Sequence, residues 1–184
     1  MKRACGLALC ITLFAANASA SFQLAPSQKG PGYVQGTFLG FGLAARAGVS
    51  GNIGTVSTYH LDVEFGWHFP EQKHQAFVVG VRQAFYIVDP GAAGATLARF
   101  GYDLPFDIND ERFELTLAPY GILGGLYPLG QGDGAFIFGV GIEGKFFFWK
   151  GLYALARPAE IGAIITGGGA AFQYNGGLGI GYAF

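Results

Sequence analysis

Apolar and polar residues alternate along most of the chain after residue 20. Between Tyr59 and Phe69 every odd-numbered residue is apolar and every even-numbered residue is polar or glycine. Because successive side chains of a β-strand point to opposite faces, this period of two predicts a strand with one apolar face. At about 3.3 Å per residue the strand is about 35 Å long, whereas soluble strands usually contain about five or six residues.

The same alternation predicts eight strands, separated by segments rich in glycine, proline, asparagine and aspartate. They cover residues 33–46, 55–69, 75–88, 95–106, 112–125, 135–149, 152–166 and 170–184. Pro158 predicts an irregularity in the seventh strand, because proline cannot donate a hydrogen bond to a neighbouring strand. No linker or change of composition divides the chain, so we expect one domain.

One face of the predicted strands is bulky and aromatic, and the other is small or charged. In the sixth strand Phe136 and Phe138 lie on the first face, and Gly139 and Glu143 lie on the second. A soluble barrel or sandwich needs its bulky face inside and a polar face outside. The second face has too little charge for a solvent face, and its glycines suit a crowded interior. We therefore predict an all-β fold, an eight-stranded antiparallel up-and-down barrel with lipid outside.

Composition agrees with this prediction and excludes other classes. The 184 residues are 51% hydrophobic and 12% charged, and they include 32 glycines. Disordered chains are rich in charge and poor in aromatic residues, and the glycines lack the three-residue period of collagen. A formal net charge of -1 without a basic cluster argues against nucleic acid as a partner.

Aromatic residues are expected at the two membrane interfaces as well as in the lipid-facing wall. The residues predicted to lie near one rim of the barrel are Tyr33, Trp67, Phe69, Phe147 and Trp149.

Residues 1–20 have the pattern of a secretory signal peptide. Lys2 and Arg3 precede an apolar run over residues 4–15, and Ala18-Ser19-Ala20 supplies small residues for cleavage after Ala20. The run is shorter than the roughly 20 residues of a membrane-spanning helix. Both cysteines fall in this segment, so we expect the mature chain, residues 21–184, to have no disulfide, cysteine-ligated metal or cysteine nucleophile. Cys10 as a lipoprotein acceptor is disfavoured by the bulky residue before it.

Two glycine motifs match a dinucleotide-binding fingerprint by letter, at Gly139–Gly144 and Gly40–Ala45. In a true dinucleotide-binding motif a strand is followed by a helix, and the N-terminus of that helix holds the pyrophosphate. Both segments continue as strands here, so we expect no cofactor.

Ser57, His60 and Asp62 have the residue types of a hydrolase triad, but Ser57 falls on the opposite strand face from the other two. His60 and Glu64 are four residues apart on one strand, about 13 Å, which is too far for a shared metal ion. We therefore expect no catalytic residues and no metal site.

Ten charged residues from six strands fall on the face opposite the bulky one. They are Asp62, Glu64, Arg82, Arg99, Asp103, Glu114, Glu143, Lys145, Arg157 and Glu160. Charges in a narrow lumen must be paired, because an unpaired buried charge costs several kcal/mol. The sequence predicts a salt-bridge network that fills the lumen. The alternative is that these residues line a narrow pore for ions or small solutes.

The signal-like start, the eight alternating strands and the C-terminal stretch resemble the small outer-membrane barrels of Gram-negative bacteria, of the OmpA transmembrane-domain and OmpX type. In such barrels an alternating last strand with a terminal Phe is the signal read by the barrel-assembly machinery. The residues that match this assembly signal are Leu178, Ile180, Tyr182 and Phe184. Unlike the family, the chain has only short predicted outer loops, near 47–54, 89–94, 126–134 and 167–169.

The resemblance implies a monomer in the bacterial outer membrane. Its partners would be outer-membrane lipid and, during assembly, periplasmic chaperones and the barrel-assembly machinery. We expect a structural or interaction role, with a narrow pore as the first alternative. The second alternative is an enzyme that modifies lipid A, as some barrels of this kind do. It is disfavoured because all three histidines precede residue 75, whereas the deacylase barrel carries its His–Ser pair late in the chain.

Overall fold

The computed structural model describes residues 32–47, 53–71, 75–88, 91–107, 113–130, 132–149 and 151–184. The predicted signal peptide, with both cysteines, lies outside these residues. His74, one of the three histidines of the chain, also lies outside them. Among the described residues, no helix is long and apolar enough to cross a membrane.

Eight strands form the structure, and every one of them was predicted. They are β1 (Gly32–Ala47), β2 (Ile53–Glu71), β3 (Gln75–Val88), β4 (Gly91–Asp107), β5 (Glu114–Pro128), β6 (Ala135–Trp149), β7 (Leu152–Thr166) and β8 (Gly169–Ala183). The predicted bounds differ most at β4, which begins at Gly91 rather than at residue 95. The glycine and alanine residues at its start gave no apolar alternation to read.

The strands close into one antiparallel barrel in sequence order, and β1 pairs with β8. This confirms the predicted eight-stranded up-and-down fold, and closure gives each of these eight strands a partner on both sides. Gly32 and Phe184 exchange two backbone hydrogen bonds of 3.1 and 2.9 Å, so both described ends of the chain meet at one end of the barrel. We call it the terminal end and the opposite one the loop end. Connections at the loop end are short, at residues 48–52, 89–90, 129–134 and 167–168.

The register shifts within β1 and β7, where one extra residue is inserted. In β1 the shift lies after Thr37, and in β7 it lies between Arg157 and Glu160, around Pro158. The irregularity predicted at Pro158 is confirmed. Because a bulge of one residue reverses the alternation, Arg157 and Glu160 both face the lumen although they are three positions apart.

Large apolar side chains cover the outer wall, and every strand contributes to it. Trp67 and Trp149, near the terminal end, are 54% and 65% exposed. Tyr33 and Phe147 also lie toward the terminal end, but they are 1% and 9% exposed and point inward, so the outward-facing position predicted for them was wrong. Phe147 shares its strand face with Glu143 and Lys145, so the alternation of β6 already places it inward and the rim prediction disagreed with that alternation.

Candidate functional site

The structure places all ten predicted lumen charges inside the barrel, each with at most 6% of its surface exposed. Strand geometry explains this, because residues two apart on a strand share a face and the opposite face carries the bulky side chains. Asp62 and Glu64 on β2 illustrate it, since the exposed Leu61 and Val63 alternate with them.

Seven of the ten form a continuous chain of alternating charge across the lumen. The order is Glu160, Arg82, Glu64, Arg99, Glu143, Arg157, Asp62. The nitrogen–oxygen distances between successive members lie between 2.5 and 3.2 Å. The members come from β2, β3, β4, β6 and β7, so the chain ties together strands that are not neighbours in the wall.

Lys145 extends this chain toward the terminal end. Its ammonium nitrogen lies 2.9 Å from a carboxylate oxygen of Asp103 and 3.9 Å from Glu143. His68 Nε2 lies 3.2 Å from the same Asp103 oxygen, and His60 Nε2 lies 3.8 Å from Asp62. The extended network therefore contains five carboxylates against three guanidinium groups and one ammonium group. Two of its three ends are an aspartate beside a histidine, and the third is Glu160.

Glu114, the tenth charge, is buried near the terminal end, where its carboxylate accepts a hydrogen bond of 2.9 Å from the Thr116 hydroxyl. The structure thus brings nine of the predicted residues into one network and places the tenth closer to the barrel end.

Neutral side chains complete the network, and charge alone did not reveal them. The Tyr33 hydroxyl donates to Glu64 at 2.6 Å, and the Tyr120 hydroxyl donates to Glu160 at 2.8 Å. The Gln35 amide donates to Glu64 and to Glu143 at 3.2 Å. For Tyr120 a signal was available in the sequence, because it has the same parity as the inward Glu114 on β5. None of the ten predicted charges lies on β1, so no such reference existed for Tyr33 and Gln35.

The Tyr120 ring lies among the three arginines of the network. The guanidinium carbons of Arg99, Arg82 and Arg157 are 4.4, 5.2 and 5.8 Å from its centroid. The face of an aromatic ring attracts cations, so Tyr120 separates like charges that would otherwise repel one another.

Glycines opposite the lumen tyrosines provide the space for these rings. Tyr33, Tyr120 and Tyr153 pair across strands with Gly66, Gly141 and Gly181 respectively. A Cβ atom on any of the three glycines would overlap the tyrosine ring opposite it. Part of the high glycine content therefore follows from packing large side chains into a narrow barrel.

Two apolar clusters lie on either side of the charged layer. The cluster at the terminal end contains Tyr33, Val78, Phe147, Tyr153, Leu155 and Ala183. The cluster toward the loop end contains Ala84, Tyr86, Ala95, Leu97, Tyr120, Ile122 and Ile137. A path along the barrel axis would have to pass both clusters as well as the ion pairs.

The arrangements weighed for catalysis and metal binding are not assembled. Ser57 is exposed on the outer wall, whereas His60 and Asp62 face the lumen. In the described part of the chain, no group of three or more His, Cys, Asp or Glu side chains is placed to hold a metal ion. The two fingerprint-like glycine segments lie within β6 and β1, as expected.

Comparison with protein-family models and with curated proteins gives no match to this chain. The chain is a closed eight-stranded β-barrel.

Proposed function

We propose that this chain is an integral protein of the bacterial outer membrane, a barrel with a side-chain-filled lumen and a structural or interaction role. The observation that carries the proposal is the inverted distribution of its side chains. Arg99, Glu64 and Glu143 are fully buried, whereas Phe65, Val81 and Val140 on the outer wall are more than half exposed. Soluble proteins rarely bury such charges while exposing a continuous apolar surface, and membrane barrels combine both features.

The polar side chains of the outer wall also suit a lipid environment. The Thr96 hydroxyl donates a hydrogen bond of 2.7 Å to the side-chain oxygen of Gln83, and the side-chain amide nitrogen of Gln83 donates one of 2.6 Å to the Tyr127 hydroxyl. Polar groups exposed to hydrocarbon must find partners within the protein. These three residues satisfy one another on the surface of neighbouring strands, which supports contact with lipid at this depth.

The filled lumen favours a barrel that does not conduct. An interior of eight strands has room for side chains and little else. The alternating ion pairs and the two apolar clusters occupy that room, so we do not expect a continuous water column. A narrow pore for ions or small solutes, the alternative, would require these residues to move apart.

We assign the outward-facing residues at the end of β8 to recognition by the barrel-assembly machinery. Leu178, Ile180, Tyr182 and Phe184 are 45–57% exposed on one face of that strand. Together with the proposed signal peptide, they imply export, handling by periplasmic chaperones and insertion as a monomer. The proposal contains no catalytic step. A lipid A-modifying activity would change the mass of outer-membrane lipid when the protein is expressed, which we do not expect.

Gel mobility of the refolded protein tests the membrane proposal. We expect boiled and unboiled samples in detergent to migrate differently, and we expect the folded protein to require detergent or lipid to stay in solution. Unchanged mobility together with solubility in buffer alone would contradict the membrane location. Planar bilayers then test the lumen, where silence is expected and reproducible single-channel steps would support the pore.

A further inference from the structure

The mouth of the barrel at the loop end has an apolar lining. Seven strands each contribute one inward-facing apolar residue there, namely Ala44, Val56, Ala93, Leu126, Ala135, Ile164 and Ala171. Val56 is 40% exposed, and the other six are partly buried. Membrane barrels normally have a polar interior, so an apolar lining on the inner side of this mouth calls for an apolar occupant.

This lining continues into the barrel. Ala93, Leu126 and Ile164 pack against the buried cluster that contains Tyr86, Ile122 and Ile137. Among the described inward-facing residues at this end, only Arg46 is charged. Its guanidinium donates a hydrogen bond of 2.5 Å to the Gly168 carbonyl at the rim.

Polar groups without partners lie beneath this lining. Gln173 and His60 are each 4% exposed, and neither Gln173 Nε2 nor His60 Nδ1 has a hydrogen-bond partner. Gln173 lies directly below the mouth, where it pairs across strands with Ala44 and Gly162. A buried N–H without an acceptor is unfavourable, and such a group beneath an apolar wall is typical of a ligand site in which one polar contact fixes orientation.

We propose that the mouth binds a short unbranched aliphatic chain that ends in a neutral hydrogen-bond acceptor, a hydroxyl or a carbonyl. The acceptor takes the free N–H of Gln173, and the methylene groups contact Ala93, Leu126 and Ile164. The chain must be slender because an eight-stranded lumen is narrow. The acceptor must be neutral because the network below has five carboxylates against four basic groups, which disfavours a further anion.

The test uses methyl NMR of the full mature chain in lipid nanodiscs, since detergents carry aliphatic chains of their own. The probe is 1-hexanol. Methyl groups of Val56, Leu126 and Ile164 should shift and saturate as 1-hexanol is added. The Ile180 methyl on the outer wall reports partition into lipid and should change only in proportion to concentration. Sodium hexanoate should bind at least fivefold more weakly than 1-hexanol.

Three substitutions and one control variant locate the site. Ala171→Phe fills the mouth and should abolish the saturable shifts, whereas Ala98→Phe, which adds the same ring on the outer wall, should leave them unchanged. Gln173→Leu keeps the bulk but removes the donor, so affinity for 1-hexanol should fall about fivefold, which corresponds to one hydrogen bond. Affinity for hexane should not change. Ala93→Phe repeats the blocking test from another strand, and unchanged outer-wall methyl signals show that each variant is folded.

The proposal is overturned if the methyl groups of the mouth respond no differently from Ile180, or if both blocking variants bind 1-hexanol as well as the wild type. It is also overturned if hexanoate binds as tightly as hexanol, or if Gln173→Leu weakens hexane and hexanol equally. These outcomes are separable from failure of the membrane location. A barrel that does not insert is recognised beforehand, because it does not co-elute with the nanodisc.

Discussion

Removing one arginine from the buried network should destabilise the barrel more than removing one of its glutamates. Arg99 is fully buried and donates hydrogen bonds to Glu64 at 2.5 Å and to Glu143 at 3.2 Å. Arg99→Met removes both bonds and leaves five carboxylates against three basic groups. Glu64→Gln removes the contacts of one carboxylate but leaves four against four.

The magnitude follows from these contacts. A hydrogen bond to a charged group contributes about 1.5–3 kcal/mol, and breaking a buried ion pair from one side costs about 3–5 kcal/mol. Because Glu64 keeps Arg82 and Glu143 keeps Arg157, we expect Arg99→Met to cost about 4 kcal/mol in the free energy of unfolding. Glu64→Gln also improves the charge balance, so we expect about 2 kcal/mol for it.

Urea unfolding in lipid vesicles measures both values, with the fluorescence of Trp67 and Trp149 on the outer wall as the signal. Arg46→Met at the loop end is the control and should cost less than about 1 kcal/mol, because that side chain is exposed. The double variant of Arg99 and Glu64 should be less destabilised than the sum of the single variants by about 2 kcal/mol. The reasoning is refuted if Arg99→Met costs no more than Arg46→Met, or if Glu64→Gln costs more than Arg99→Met.

Three further predictions use other parts of the barrel. Gly124→Ala should destabilise the barrel by about 2 kcal/mol in the same assay, because the added Cβ would overlap the backbone of β4. At Gly125 an added Cβ meets nothing within 4 Å, so Gly125→Ala should change stability by less than about 0.5 kcal/mol, and equal effects of the two variants would contradict the packing argument. Tyr120→Leu should lower the free energy of unfolding by about 3 kcal/mol and Tyr120→Phe by only about 1 kcal/mol, because phenylalanine loses the hydroxyl contact with Glu160 but keeps the ring among the arginines. If the phenylalanine variant is as unstable as the leucine variant, the ring is not the main contribution. Phe184→Ser should lower the heat-modifiable fraction in cells without changing refolding of purified protein in vitro, and equal losses in both would assign Phe184 to stability rather than to assembly.

Much of the fold was readable because a strand records its two faces in the chain itself. Tyr59–Phe69 alternates without exception, and its inward charges are buried as the alternation predicts. The prediction failed where composition was preferred to alternation. Phe147 shares its parity with Glu143 and Lys145, which places it on the inward face, whereas the rim prediction treated it as an outward aromatic residue.

The pairing of the lumen charges was beyond the reach of sequence analysis. Alternation gives the face of each residue but not its height along the barrel, which depends on the stagger of each strand against the next. Glu143 therefore could not be matched in advance with Arg99 on β4 and Arg157 on β7, both of which contact it at 3.2 Å. The bulge in β7 adds to the difficulty, because it sets the position of Glu160 relative to Arg157.

The short connections at the loop end determine where recognition can occur. Only two residues separate β3 from β4 and β7 from β8, so these connections contribute few side chains to a binding surface. The strand ends therefore supply much of the contact surface at this end, where Ala44, Ala93 and Ala171 have small side chains and Arg46 donates a hydrogen bond to the Gly168 carbonyl. In a barrel with long loops the same lining would be covered. The short connections of this barrel therefore agree with the apolar ligand proposed for its mouth.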